Sequence, residues 1–513
     1  MSFRTAHAST VLVVALWAAL VVPLITWAAA LGSPLAVAFA AANALTWVAG
    51  GRALALWLRA SAPQRVAPVG HGAQPHRIAL LVCVCDDLDT SAVVHSAQQD
   101  IPVDVVLLDD SRDPDRAARV DALAAARGWV VLRRAERSGF KAGNLNAGIA
   151  ALRGRYDAYL ICDSDVVLEA SVARVCSAAL ADPAVAVAQA SPAASPGSSP
   201  FARYFGPLLA THLGVTRRGR GAHGVTAFLG RGALVRAAAI ADVGGFPEAV
   251  AEDLAMTVQL RRRGWRIVDA DVAFAEDYPI DYAAFRVQLR KTAEGAVEFL
   301  RHPERMRGLR LREAIDLSLE TALVPVTALA GAVILLTGAA LVGLDTPPPV
   351  WGIFVSAVAA AMPLLPEALR RARTQRIAAG AVFGLAAGLL YASTTFVVLA
   401  AVIRTGLGRR ATFWVTPKTP SRRGVSTVLR DELVLVPLLV MGAVAASGSA
   451  LSAAGPVMPA VVAAVFASGM MSGRVRARIE APLAPRRRRG RGDARRRSTD
   501  AAATIGPPRT LTR

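Results

Sequence analysis

Three polar signatures follow one another through the middle of this 513-residue chain: Lys141-Ala142-Gly143-Asn144-Leu145-Asn146, then Asp163-Ser164-Asp165, then Glu252-Asp253. Asp163 and Asp165 flank a small residue after the apolar run Tyr159–Cys162, so both carboxylates reach one side of a tight turn. Hard oxygen ligands so placed suit Mg2+ or Mn2+, which keeps some water and shares its coordination with substrate phosphates. Lys141 and Asn144 open a helix, whose free N–H groups and dipole favour anions. Lys141 can neutralise a phosphate there, and Asn144 can cap or hydrogen-bond. Glu252 and Asp253 begin another helix. Asp253 can accept a proton from a hydroxyl, a poor nucleophile until it is deprotonated. Each signature also has a plain reading: a solvated turn, a surface lysine, and acidic partners of a helix dipole. Their order along the chain favours the chemical one. Further on, Gln288, Arg290 and Lys291 lie on an amphipathic helix expected over 281–302. Its cations can steady a departing diphosphate or meet lipid headgroups, and with Glu252 they are candidates for diphosphate or acceptor contact.

The elements that must position these groups alternate. Ile78–Cys85, Val103–Leu108, Trp129–Leu132, Ala158–Cys162 and Ala184–Gln189 are continuous apolar runs, the pattern of strands buried on both faces. Helical stretches are expected between them at Asp113–Arg127, Ala142–Leu152 and Glu169–Ala181. This alternation predicts an α/β, doubly wound mixed sheet, in which ligands bind beyond the carboxyl ends of the strands. Asp86-Asp87, Asp109-Asp110 and Asp163-Ser164-Asp165 all follow strands at that edge.

Outside this region the chain is apolar. Hydrophobic residues make up 54% of it, and no Asp, Glu, Lys or Arg occurs over 5–51, 321–344, 346–366, 377–403 or 433–473. A membrane helix needs roughly 20 apolar residues, so each run is long enough to span and the first and last are long enough for two. Gly32-Ser33-Pro34 and Gly455-Pro456 are the expected turns, and Val11–Ala30 reads as an anchor. The organisation expected is two membrane helices over 1–60, a catalytic domain over 75–278, an interfacial helix region over 279–312 and two membrane helices over 313–366. An interfacial or re-entrant helix over 377–403, a loop over 404–430, two membrane helices over 433–473 and a basic tail over 474–513 complete it. Arginines flank the polar segment at 52, 59, 301, 305 and 310 and recur at 370–376, whereas the turns 31–35 and 345–349 carry no positive charge. The positive-inside rule then places the polar segment and both termini in the cytoplasm of a multi-pass cell-membrane protein. The formal charge of +20 gathers beside the spans and in the Arg486–Arg489 and Arg495–Arg497 clusters. The expected partner is the lipid bilayer, with no nucleic acid. Cysteines 83, 85, 162 and 176 form no C-x-x-C pair and read as reduced interior residues.

With these residues assembled, the chain resembles a membrane-integrated family 2 glycosyltransferase of the cellulose synthase and hyaluronan synthase type over residues 77–418. The resemblance rests on Lys141–Asn146, Asp163-Ser164-Asp165, Gly244-Gly245-Phe246 leading to Glu252-Asp253, and Phe413-Trp414-Val415-Thr416-Pro417-Lys418. It implies a GT-A fold inserted between transmembrane helices. It implies nucleotide contacts at Asp87, Asp110 and Asp163, a metal at Asp163 and Asp165, and Asp253 as base. Phe413, Val415, Thr416 and Lys418 would belong to a gating loop over the donor. The implied activity is inverting, metal-dependent transfer from a nucleotide-sugar donor, a UDP-sugar, to a saccharide or lipid-linked acceptor, with polysaccharide export a further step and any envelope or export partner unassigned. Two departures stand out. Cys83-Val84-Cys85-Asp86-Asp87 replaces a Pro-x-x-Asn-Glu-like turn, and Gln288-Leu289-Arg290-Lys291-Thr292 replaces the Gln-x-x-Arg-Trp of polymerising members. Lysine lacks the planar fork of arginine, and Thr292 offers no aromatic platform unless Phe285 or Trp265 supplies one. Single transfer to a polyprenyl phosphate or glycolipid is therefore one alternative, and a non-catalytic membrane subunit or transporter is another.

Overall fold

A computed structural model describes residues 3–61, 76–195, 197, 199–221, 225–249, 251–412, 416–417, 419–420 and 424–469. Two helices, α1 (Phe3–Leu31) and α2 (Pro34–Ala60), precede an eight-stranded sheet. Its strands are β1 (Ile78–Val84), β2 (Asp104–Asp109), β3 (Val130–Leu132), β4 (Ala158–Asp163), β5 (Val166–Leu168), β6 (Val185–Ala194), β7 (Ala233–Arg236) and β8 (Arg266–Glu276). They lie in the order β3-β2-β1-β4-β7-β6-β8-β5. The first four in that order run parallel, β7 pairs antiparallel with β4 and β6, and β5 pairs antiparallel with β8. The sheet is therefore mixed, as expected, with its antiparallel part made from strands as short as three residues.

Alternation along β1 shows why these runs form strands. Ile78, Leu80, Val82 and Val84 join one buried cluster, while Ala79 and Leu81 join the other. The first face is covered by α3 (Thr90–Ser96), α4 (Pro114–Arg127) and α6 (Val172–Ala179), through Val93, Val120 and Cys176. The second is covered by α5 (Phe140–Ala151), α8 (Ala237–Val243) and α9 (Glu252–Arg262), through Leu145, Ile240 and Met256. Helix α4 shows the local code. Asp113 caps it by accepting the Asp115 N–H, Pro114 opens it, and Gly128 ends it at a left-handed φ of 68°. Between the strands, α7 (Pro200–Gly221) leads toward the membrane helices.

After the sheet come α10 (Tyr282–Leu300), α11 (Leu311–Gly343), α12 (Val350–Ala361), α13 (Leu365–Thr374), α14 (Ile377–Ala392), α15 (Thr395–Gly406), α16 (Val425–Val428), α17 (Arg430–Ser447) and α18 (Ala454–Ala467). Among the described residues, six segments are long and apolar enough to cross a membrane: Thr10–Leu31, Pro34–Ala60, Leu311–Gly343, Val350–Thr374, Ile377–Gly406 and Ala450–Ala467. The large exposed apolar side chains concentrate on these segments and on α17, among them Val11, Phe354, Leu385, Leu433 and Met458. A water-facing surface does not tolerate so broad an apolar belt, and a bilayer does. The chain is built as a membrane protein.

The break expected at Gly455-Pro456 falls instead at Gly448, the left-handed cap of α17. Pro456 sits in the first turn of α18, where a missing N–H does no harm. Ion pairs join the sheet to the membrane helices. Arg52 of α2 meets Asp316 (3.3 Å) and Glu320 (2.6 Å) of α11, and Arg220 of α7 meets the same Asp316 (2.7 Å).

Candidate active site

Strand register gathers the carboxylates. Cys83 of β1 lies opposite Asp163 of β4, and Val84 opposite Asp109 of β2, so three strands end side by side. The loops beyond them are locked together. Asp87 turns back to accept the Cys85 N–H (2.8 Å), and its backbone C=O accepts the Ser164 hydroxyl (3.0 Å). Asp87 and the Asp163-Ser164-Asp165 turn thus share one rigid corner. Asp86 before it has a positive φ of 60°, held because its carboxylate accepts the N–H groups of Arg112 (2.9 Å) and Asp113 (3.1 Å).

Helix α5 brings the cation. The Lys141 ammonium bonds the Asp163 carboxylate and the Gly230 C=O (2.9 Å). Asn144 donates to the Leu108 C=O (2.9 Å), which docks α5 on β2. Asn146 exchanges two bonds with the backbone of Phe246 (2.7 and 2.8 Å) and so ties α5 to the Gly244-Gly245-Phe246 turn. Asp110 is engaged by Arg134 at both carboxylate oxygens (2.6 and 3.0 Å), and Arg134 also holds the C=O groups of Ser138 and Phe140 at the start of α5. In this structure, then, Asn144 and Asp110 set the position of the helix that carries Lys141.

Glu252 and Asp253 stand at the start of α9, which covers the same face of the sheet as α5. A Cβ placed on Gly230 would lie 3.5 Å from Asp253 Cβ, 3.6 Å from Glu252 Oε1 and 3.9 Å from Lys141 Nζ. Lys141 and the Glu252-Asp253 pair, more than a hundred residues apart in sequence, therefore meet at one glycine whose φ of 77° suits no other residue well. Burial, then Asp253, pushes the Glu252 carboxyl up to about 7, with Lys141 pulling the other way. Burial would also raise Asp163, but Lys141 and then Arg231 outweigh it and hold this carboxyl below its ordinary value. Lys291 of α10 is lowered by burial and is drawn back up by Glu252 and Asp163, which places its ammonium within the same field.

Sequence reasoning did not single out Arg231 or Glu276. Their side chains form an ion pair at the end of β8, where Glu276 is the register partner of Val166, next to Asp165. No motif spacing signals a pair 45 residues apart. The other expected residues have the following surroundings. Arg290 pairs with Glu294 on its own helix (2.8 Å), and Glu294 also accepts the Thr412 N–H (3.2 Å). Gln288 is half-buried, and its C=O accepts the exposed Thr292 hydroxyl (3.0 Å). Thr416 is half-buried in an irregular stretch, and Phe413, Val415 and Lys418 lie outside the described residues. Phe285 is 1% exposed and packed among Phe201, Tyr278 and Tyr391, while Trp265 precedes β8 at the end away from Glu276 and donates to Asp242 (2.8 Å). Neither presents a ring to the site.

The carboxylates fit a hard divalent cation. Burial pushes the Asp87 carboxyl above its ordinary value, the Cys85 N–H works against this, and Asp165 and Asp163 add to it. Among the described residues no three or more His, Cys, Asp or Glu form a complete cage.

A mixed sheet with carboxylates at the ends of β1, β2 and β4 agrees with the GT-A glycosyltransferase class that the sequence motifs imply. Residues 159–414, which run from β4 past α15, match the family described as glycosyl transferase family group 2. The chain carries a family 2 glycosyltransferase domain. It is similar to two Komagataeibacter xylinus proteins, "Putative cellulose synthase 2" and "Putative cellulose synthase 3", each 28% identical over 233 residues. These alignments cover 43% of this chain and 15% of the relatives' own length. Among solved structures it is similar to a mannosyltransferase from Pyrobaculum calidifontis in complex with GDP-Man and Mn2+, with 20% identity, 72% of this chain and 99% of that chain covered, and a TM-score of 0.48. It is also similar to S. aureus TarS in complex with UDP-GlcNAc, with 17% identity, 61% and 91% covered, and a TM-score of 0.31.

Proposed function

We propose that the protein transfers a sugar from a nucleotide-diphosphate donor, with inversion, to a hydroxyl acceptor at the cytoplasmic face of a cell membrane. The observation that carries this reading is the meeting of Lys141, bound to Asp163, with Glu252 and Asp253 around Gly230. Asp163 and Asp165 would hold a Mg2+ or Mn2+, which neutralises charge on the leaving diphosphate. Lys141 and Lys291 add fixed positive charge where the glycosidic oxygen departs. Asp253 takes the proton of the acceptor hydroxyl as its oxygen attacks the anomeric carbon opposite the leaving group. One C–O bond forms, the bond to the diphosphate breaks, and the nucleoside diphosphate leaves.

Full-length protein in detergent, incubated with a panel of UDP- and GDP-sugars and Mn2+, should release nucleoside diphosphate from one of them. Release should stop with a chelator. No release from any donor, with or without lipid extract as acceptor, would return the non-catalytic alternative.

Within this reading, a short product is favoured over a long polymer. Thr292 is exposed where an aromatic platform is expected, and the two aromatic substitutes, Phe285 and Trp265, are packed or turned away. Sizing of radiolabelled product separates the outcomes: one or a few sugars on a lipid acceptor for single transfer, a ladder for polymerisation.

A further inference from the structure

We infer that Lys141 is a resident cation that occupies Asp163 until a nucleoside diphosphate draws it away, so that divalent cation and nucleotide bind as a coupled pair. This rests on the reading of Asp163 and Asp165 as the metal-holding turn.

The ammonium of Lys141 sits on the carboxylate that a metal would need, with only 14% of its side chain exposed. An ammonium and a divalent ion repel one another, so both cannot share Asp163 at full strength. The backbone beneath Lys141 cannot yield to relieve this. Asn144 and Asn146 fasten α5 at two points, and a Cβ on Gly143 would collide with the Ser138 C=O and the Arg134 guanidinium. Only the four-carbon stem of Lys141 is free to move, and a lysine carries its charge on a flexible arm. Arg231, a second cation near Asp163 and Asp165, is held by Glu276 and by the Leu229 C=O (2.9 Å), so it is less mobile than Lys141. A diphosphate offers the ammonium a new anionic partner. Its arrival releases Asp163 to the metal, and the metal in turn neutralises the diphosphate. Linkage then requires each ligand to tighten the other by the same factor.

The test is calorimetric titration of the purified full chain with Mn2+ alone, then with Mn2+ at saturating UDP or GDP. No sugar donor is present, so turnover plays no part. Wild type should bind Mn2+ weakly alone and about tenfold or more tighter with one of the nucleotides. Lys141→Met should bind Mn2+ alone about tenfold tighter than wild type and show a smaller nucleotide effect, since only the direct attraction between metal and diphosphate remains. Lys141→Gln, which keeps a hydrogen-bonding group for Asp163, serves if the methionine variant melts markedly lower. Equal Mn2+ affinity with and without either nucleotide in wild type overturns the proposal, as does undiminished coupling in the Lys141 variants. Asp165→Ala separates the two layers of inference. If it binds Mn2+ as wild type does, the metal assignment itself is wrong and the coupling falls with it.

Discussion

At the scale of single residues, two carboxylates in this site have opposite tendencies, and the difference assigns their work. Asp163 is held ionised by Lys141, whereas Glu252 holds its proton up to about neutral pH. Asp165→Ala should abolish turnover and Mn2+ binding while leaving the melting temperature nearly unchanged, because a strand-tip turn buries little apolar surface. Asp253→Asn should keep donor affinity and lower kcat by roughly 10²–10⁴-fold, the usual worth of a positioned base. Steady-state kinetics beside nucleotide titration distinguish these patterns, and loss of nucleotide binding in the Asp253 variant would move that residue into the donor site.

Glu252 gives a prediction with a definite sign. Its ordinary value of 4.5 is raised to about 7 in the folded chain, so between these values the folded state holds a proton that the unfolded state has released. The group's contribution to stability is therefore full below 4.5 and is lost as pH rises through 7. Glu252→Gln carries no charge at any pH. It should melt higher than wild type at pH 8, and the gap should shrink toward pH 5. A variant that melts lower at pH 8 would show that attraction to Lys141 and Lys291 outweighs the cost of burying the charge.

At the scale of elements, α10 is the piece that joins the site to the rest of the molecule. It carries Lys291, and one and a half turns earlier Arg286 makes a two-point ion pair with Glu432 of α17 (2.6 and 2.7 Å), both side chains being almost fully buried. Tyr282 of the same helix bonds the Ser393 hydroxyl (2.9 Å) between α14 and α15. Breaking a buried pair by removing one partner strands the other charge, at a cost of about 3–5 kcal/mol. Arg286→Met or Glu432→Leu alone should lower the melting temperature sharply, and the double substitution should recover much of the loss. Simple additivity of the two losses would mean the pair is solvated in the working protein.

The same helix shows where sequence reading stops. Its span and its apolar stripe through Phe285, Leu289, Ala293 and Leu300 follow from helical spacing, and the structure forms it over Tyr282–Leu300. Arg286 reads from that spacing as one of a row of cations facing lipid or water, yet it is buried, because its partner lies 146 residues further along the chain. Strand β1 was legible since both of its faces are apolar. The strands β5 and β7 were not, and neither was the longer β8, whose apolar pattern is interrupted by Asp269 and Asp271. The chemical groups at strand ends were legible by type and order. Arg134, Asn146, Arg231 and Glu276 were not, since what gives them a role is the tertiary contact and not the neighbouring sequence.

At the scale of the whole molecule, the open matter is the path of Ile377–Gly406, which by length and composition could cross a bilayer. We propose that it runs along the membrane surface. It is built of two helices of 16 and 12 residues that break at Ser393-Thr394. Just before it, α13 is fastened to α7 by Glu367 with Thr211 (2.8 Å) and by Arg371 with the Tyr204 C=O (2.6 Å). Within it, Phe383 packs on Tyr204 and Tyr391 on Phe285. At its far end the Thr405 C=O accepts from Arg301 of α10 (3.0 Å). Its two ends and its middle thus touch α7, α10 or α13, while Phe396 and Leu399 of α15 also pack on Ala332 of α11 and Leu439 of α17. A cysteine at Arg409 should therefore react with a membrane-impermeant maleimide only from the side that labels the sheet domain, and one at Thr346, in the turn before α12, only from the other. The native background is low, because Cys162 and Cys176 are buried and Cys83 and Cys85 half-buried in the same domain. Labelling of Arg409 from the Thr346 side would make 377–406 a true crossing and would separate residues 411–424 from the site on the strand ends.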